Sequence, residues 1–195
     1  MYYVVDYLSN PSDPDDEGPF LEIHQGDVRV DGVTSWHTGA RFTVPIPSPL
    51  MIRATPRHGF VGAPQDFFGG TICFMSPRLL AIMTAHGVDN LDVYPAVVTY
   101  TTTGEQHPVH AFNLLGLVSA VDLATSQASS FDGDFRMDSS LRGFTVDEPR
   151  VGDRKLFRLA ENCVTVLAHQ RIKDAVDAAG IRTFSWVDPK RWIQL

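Results

Sequence analysis

The rhythm of apolar and polar residues changes several times along the chain, and it predicts many short strands interrupted by two helices. "YYVVDYL", Tyr2 to Leu8, is a strand-sized apolar run. "FLEIHQGDVRVDGV" alternates on either side of "QGD", which predicts a hairpin turning near Gly26. "ARFTVPIPSPLMIRATP" is strand-like in composition. However, Pro45, Pro47 and Pro49 cannot donate ladder hydrogen bonds, so the segment is expected at an edge or in a loop. "RHGFVGAPQDFFGG" reads as a loop carrying aromatic residues.

The texture changes at Thr71. "TICFM" predicts a short buried strand, followed by a helix with Ser76 as N-cap and Pro77 at the first helical position. Leu79, Leu80, Ile82 and Met83 supply its apolar face, and Gly87 ends it in a left-handed conformation. "VDNLDVYP" returns as a strand, and "AVVTYTTTGEQHPVHAFNLL" predicts two strands joined across "TTGEQH". "LVSAVDLATSQASSF" fits a strand or a short helix. "LRGFTV", "KLFRL" and "CVTVLA" read as strands, a second helix runs from Gln170 to Ala179 and stops at Gly180, and "TFSWV" is the last strand.

The segments on either side of the two glycine stops match position by position. Leu79 corresponds to Ile172, Met83 to Val176, Val88 to Ile181, Leu91 to Phe184 and Val93 to Trp186. Each helix can bury only one stripe, and each strand needs a neighbour. The expected fold is therefore α+β: a mixed, largely antiparallel sheet holding two strand–helix–strand units, 71–95 and 163–187, related as a divergent internal repeat. The expected organisation is an N-terminal strand and loop region, 1–70, packed on a main domain, 71–195. His169 stands where Ser76 caps the first helix, so the second helix is expected to start less firmly.

Composition narrows the function classes. The chain has 195 residues, of which 44% are hydrophobic and 20% charged, values ordinary for a globular protein. No apolar run is long enough for a membrane-spanning helix. "MYYVVDYLSN" lacks a basic start followed by an apolar segment, so the expected location is the cytoplasm. The net charge of −7 argues against direct nucleic-acid binding and is compatible with a basic protein partner. Cys73 and Cys163 both sit in strand-like apolar contexts and read as buried thiols, with no further role legible.

Signatures of catalysis are weak. The chain contains no phosphate loop, no nucleophile elbow and no zinc-binding helix motif. "FFGGT" reads as a tight turn. His107 and His110 fall three apart on a strand, which points them to opposite faces and away from a shared metal. Asp132, Asp134 and Asp138 lack the glycine placement and distant glutamate of a calcium loop. Cys163 and His169 make a poor nucleophile and base, because a thiol in an apolar strand is inert. Asp122 and Ser126, four apart, are explained by side-chain-to-backbone bonding in a turn. No catalytic residue, cofactor or metal is expected.

The order of several of these segments resembles the MXAN-type immunity proteins of bacterial polymorphic toxin systems, a family formerly described only as a domain of unknown function. The resemblance covers Ser76 to Val187. Its marks are "HGV" at His86–Val88 and "FNLLGLVSAVDLATS" with Asn113, Asp122 and Ser126. "KLFRL" at Lys155–Leu159 and "AAGI" at Ala178–Ile181 complete them. The chain departs from the pattern at the start of the second helix, where Ala168-His169 replaces the usual serine. Membership implies a non-enzymatic protein that binds a cognate toxin and blocks it. The other readings carried forward are a structural or adaptor subunit of a secretion or phage-like assembly, and an enzyme of unrecognised type.

A toxin inhibitor needs an interface of about 1,600 Å² with aromatic anchors and a polar rim. Two acidic loops with adjacent aromatics are the candidates for toxin contact. The first carries Asp13, Asp15, Asp16, Glu17 and Phe20; the second carries Phe131, Asp132, Asp134, Phe135 and Asp138. Self-association, the identity of the toxin and its target are not legible from the chain.

Overall fold

The computed structural model describes residues 1–7, 21–24, 29–57, 62–130 and 139–193. The fold is α+β and mostly sheet. A five-stranded sheet is built from β1 (Tyr2–Asp6), β8 (Leu117–Val118), β11 (Leu156–Leu159), β12 (Val166–His169) and β13 (Ser185–Val187). Its order is β13-β1-β12-β11-β8. A six-stranded sheet is built from β2 (Leu21–Ile23), β3 (Leu50–Pro56), β4 (Phe67–Gly69), β5 (Cys73–Met75), β6 (Leu91–Tyr100) and β7 (Gln106–Leu114). Its order is β2-β3-β6-β7-β5-β4. Among the described residues, only the β3–β6 and β8–β11 pairs are parallel. β9 (Gln127–Ser129) and β10 (Ser140–Arg142) form a separate antiparallel pair.

The five-stranded sheet is apolar on both faces, as expected of strands buried on two sides. Val4, Phe157, Leu159 and Leu167 belong to one core cluster, together with Tyr2, Val118, Phe144 and Val151. Val5, Leu156, Val166 and Ala168 face a larger core, which they share with the six-stranded sheet and both long helices. Asn90 ties the two sheets together: its side-chain amide donates to the carbonyls of Leu115 at 3.2 Å and Leu156 at 3.1 Å.

Helix α1 (Pro77–Ala85) starts as its sequence predicts, with the Ser76 hydroxyl accepting from the Leu79 N–H at 3.1 Å. A helix this short has little stability of its own and depends on the face it buries. Leu79 and Met83 are fully buried; Leu80 and Ile82 are only partly so. The third helix, α3 (Gln170–Ala178), buries Ile172 and Val176. Both helices stop in the same way. Val88 N–H donates to Met83 and Gly87 N–H to Thr84; Ile181 N–H donates to Val176 and Gly180 N–H to Asp177. Gly87 and Gly180 take φ of 90° and 71°, values a side chain disfavours. Among the described residues between them in sequence lies a further short helix, α2 (Glu148–Val151), which the sequence pattern did not predict.

The two strand–helix–strand units share a local topology. In each, one antiparallel strand separates the pair: β7 lies between β5 and β6, and β1 between β12 and β13. Layered sheets and helices reach such arrangements as a packing solution, so the internal repeat itself stays an expectation from the sequence.

Several local expectations are corrected. β2 pairs with β3, a partner the sequence did not indicate; the hairpin turn expected near Gly26 lies outside the described residues. The prolines of 45–49 precede β3 and do not interrupt it, so Leu50–Pro56 occupies the second position of its sheet. Phe67–Gly69, expected in a loop, is an edge strand paired with β5 across the Gly70–Ile72 turn. Residues 91–100 form one strand rather than two, with Pro95 inside it. Pro95 lies just beyond the β3 register, which begins at Ala96, and Pro108 lies outside the β5 register, so each proline has a ladder on one side only.

Candidate functional site

The two acidic loops proposed for toxin contact lie outside the described residues: Asp13, Asp15, Asp16, Glu17 and Phe20 in one, Phe131, Asp132, Asp134, Phe135 and Asp138 in the other. Their anchors are described. The first lies in sequence between β1, of the five-stranded sheet, and β2, of the six-stranded one. The second connects β9 to β10.

At the root of the first loop is a cavity of about 1010 Å³ that the sequence did not reveal. It is walled by Tyr7, the 29–37 segment, the Gly69–Thr71 turn and Val164. These four pieces are distant in the chain and meet only because the two sheets stack. The 29–37 segment has no helix or strand, so its own side chains hold it. Trp36 is buried edge-on against Phe42 and Tyr94, with ring centroids 4.9 and 5.9 Å away. Val30 is buried at the other end, and Val33 N–H closes a turn onto the Val30 carbonyl at 3.0 Å. Gly32 in that turn has φ of 82°, and a Cβ there would sit 2.7 Å from a Val44 methyl, so the turn needs glycine.

The deep wall is polar. His37 Nε2–H donates to the Gly70 carbonyl at 2.8 Å. Burial, with the nearby Arg158 guanidinium, pushes the His37 pKa down to about 4, so the ring is neutral at physiological pH. Burial pushes the Tyr7 phenol up to about 12, with Cys73 adding to the rise and Arg158 opposing it, so Tyr7 keeps its proton. Arg158 itself is fully buried on the β11 face that looks toward the six-stranded sheet. Its Nη2 donates to the Cys73 sulfur at 2.8 Å and its Nη1 to the Cys163 carbonyl at 2.8 Å. Neither partner is a carboxylate, and among the described residues its Nε–H meets no acceptor. Burial raises the Cys73 thiol pKa, against the pull of Arg158.

Cys73 is the buried strand thiol that the sequence predicts, whereas the same reading of Cys163 is corrected. Cys73 is a buried β5 residue that accepts from a cation. Cys163 is half-buried in the turn between β11 and β12. His107 and His110 lie in β7 at a spacing that puts them on opposite faces. The polar residues marked in the middle of the chain hold structure. Asp122 accepts from the Ala124 N–H at 3.1 Å and the Thr125 hydroxyl at 2.8 Å, closing a turn. Ser126 accepts from the Thr145 N–H at 2.9 Å, and the buried Asn113 donates to the Ala40 carbonyl at 2.7 Å. The His169 ring, expected to start its helix poorly, is itself the cap: its Nδ1 accepts from the Arg171 N–H at 3.1 Å.

The site therefore offers a roomy polar cavity with a buried cation behind it. A comparison with curated proteins finds no match. A comparison with family models does, and it extends the expected stretch of resemblance toward both ends of the chain: the model of the Immunity protein family (Imm11) matches residues 7–191, so the chain belongs to that family.

Proposed function

We propose that the protein binds a cognate bacterial toxin, encoded beside it, and neutralises it by covering the toxin's working surface. It carries out no bond-making chemistry of its own and needs no cofactor. The observation that carries this reading is the family match over residues 7–191. The chain's charge of −7 supports it, because an acidic inhibitor is drawn to a basic catalytic cleft and oriented by it. Acidic loops at 13–17 and 132–138 are the steering elements in this proposal, with Phe20, Phe131 and Phe135 as anchors. The toxin meets its inhibitor in the cytoplasm of the producing cell and its kin, without nucleic acid or membrane as intermediary.

The test is co-expression with the product of the neighbouring toxin gene. The expected result is a stoichiometric complex that co-purifies and growth that is restored. A pair that neither co-purifies nor restores growth removes the proposal.

A further inference from the structure

The chain has two cysteines, far apart in sequence, and the fold brings both to one guanidinium. We infer that Cys73 and Cys163 form an oxidation-responsive pair, which a peroxide-class oxidant joins in a disulfide. Cys73 belongs to β5 of the six-stranded sheet and Cys163 to the turn between β11 and β12 of the five-stranded one, so the bond staples sheet to sheet. The inference is independent of the proposed toxin binding. It concerns a covalent change in the protein itself, not the turnover of a substrate.

Arg158 supplies the geometry. Its Nη2 donates to the Cys73 sulfur at 2.8 Å and its Nη1 to the Cys163 carbonyl at 2.8 Å. A planar guanidinium holds its terminal nitrogens in a fixed fork, so that sulfur and that carbonyl oxygen lie within about 8 Å of each other. Neighbouring residues meet in the same place: Val164 and the Gly69–Thr71 turn wall one cavity. Two turns from different sheets therefore face each other, with a cysteine in one and just after the other. A disulfide needs Cα atoms about 4.4 to 6.8 Å apart, so the pairing requires the Cys163 side chain to turn toward the guanidinium that its own carbonyl accepts from.

The two thiols differ as a sensing pair must. Cys163 is half-buried and within reach of a small oxidant, whereas Cys73 is fully buried. Hydrogen peroxide reacts first at Cys163. The Cys163 sulfur displaces hydroxide from peroxide, which leaves a sulfenic acid and, with the thiol proton, one water. The Cys73 sulfur then attacks the sulfenic sulfur. The S–S bond forms as the S–O bond breaks, and the hydroxide leaves with the Cys73 proton as a second water. Two thiols are thereby oxidised by two electrons, and one peroxide is reduced. Arg158 assists the second step: burial raises the Cys73 pKa, and the guanidinium opposes that rise by favouring the thiolate. Reducing compartments do not keep disulfides, so in the cytoplasm proposed above the thiols are the resting form and the staple is transient.

The test treats the purified, reduced protein with hydrogen peroxide in native buffer. The expected product is a chain lighter by two hydrogen atoms, whose non-reduced digest holds the Cys73 and Cys163 peptides joined. Dithiothreitol should restore both thiols, and blocking Cys163 beforehand with N-ethylmaleimide should leave Cys73 reduced. The oxidised protein should also unfold at a higher urea concentration than the reduced one, because the cross-link restricts the unfolded chain. Any of three results overturns the inference. One is two titratable thiols after peroxide. Another is a sulfinic acid or an intermolecular disulfide at Cys163 with Cys73 still a thiol. The last is a cross-link that forms only once urea is present, which would mean that the native fold keeps the sulfurs apart. The toxin takes no part in these measurements, so each of these results leaves the proposed function standing.

Discussion

The Ser76 hydroxyl donates to the Asp66 carboxylate at 2.5 Å while accepting the Leu79 N–H, so one side chain both caps α1 and ties it to the loop before β4. The second oxygen of Asp66 accepts from the Thr183 hydroxyl at 3.0 Å, which brings in the loop that follows α3. Arg78, in the first turn of α1, donates to the Ala179 carbonyl at the end of α3. The two helices are thus joined through their ends as well as through their buried stripes.

Replacing Ser76 with Ala should cost about 1 to 2 kcal/mol, as for other lost N-caps. Asp66→Ala should cost about 1.5 to 3 kcal/mol, the range for a hydrogen bond to a charged group. Because both substitutions break the same bond, the double variant should lose less than the sum. Urea unfolding of the four proteins measures all of these. Strict additivity would show that the Ser76–Asp66 bond contributes nothing.

The His169 cap should make stability depend on acid. Its Nδ1 can accept from Arg171 only while the ring is neutral. Burial first, then the N-terminal amine, Lys155 and Arg171, lower its pKa below the usual 6.5; Glu148 opposes them. A histidine whose folded pKa is depressed contributes stability that is present above its unfolded value and lost as pH falls through the folded one. His37, pushed down to about 4, acts in the same direction between about 6.5 and 4. Unfolding free energies should therefore fall on acidification through this window. His169→Asn, which keeps a cap without a titrating ring, should flatten part of the slope. An identical slope in that variant would show that the cap does not titrate.

Arg158→Met should leave His37 buried while removing the positive field that lowers its pKa. Burial is the larger cause, so the His37 pKa should rise above about 4 yet stay below 6.5. An NMR titration of the ring reads this directly, and an unchanged value would mean that the Arg158 charge does not reach the cavity.

Glycine substitutions should rank by what surrounds them. At Gly87 an added Cβ meets only the Lys155 side chain at 4.0 Å, so Gly87→Ala carries the left-handed backbone cost alone, about 1 to 2 kcal/mol. At Gly39, φ is 69° and the Cβ would lie 2.9 Å from the Gly116 backbone, whose N–H donates to the Gly39 carbonyl at 2.8 Å. Gly39→Ala should therefore be the more damaging of the two by thermal melting, because backbone cannot step aside as a flexible side chain does.

Reversing the charges at Asp13, Asp15, Asp16 and Glu17 together should slow association with the toxin and flatten its dependence on salt. Stopped-flow mixing across a salt series is the measurement. An unchanged association rate would take this loop out of the interface.

Local signals were legible in the chain, and non-local ones were not. Ser76, Pro77 and Gly87 framed α1 because caps and stops act within a few residues. The β6–β7 hairpin followed from two apolar runs around a short polar turn. The partner of β2 did not follow, since β3 begins 27 residues after β2 ends and nothing near Ile23 names it. The prolines at 45, 47 and 49 misled in another way: they precede β3, so the strand itself needs none of the hydrogen bonds they lack. His169 as a cap was missed because imidazole is an uncommon acceptor at that position, although its place before the second helix was plain. The cavity was invisible, being assembled from Tyr7, the 29–37 segment, the Gly69–Thr71 turn and Val164. The one cue was the lone arginine in "KLFRL", a cation in an otherwise apolar strand.

β1 lies between β12 and β13, so both neighbours of residues 2–6 come from residues 166–187. During translation the ribosome delivers those neighbours more than 150 residues later, and until then β1 has two open edges. The five-stranded sheet can close only after residues through Val187 have been made, and non-local pairing of this kind is slow. A nascent chain released before Val187 cannot complete this sheet.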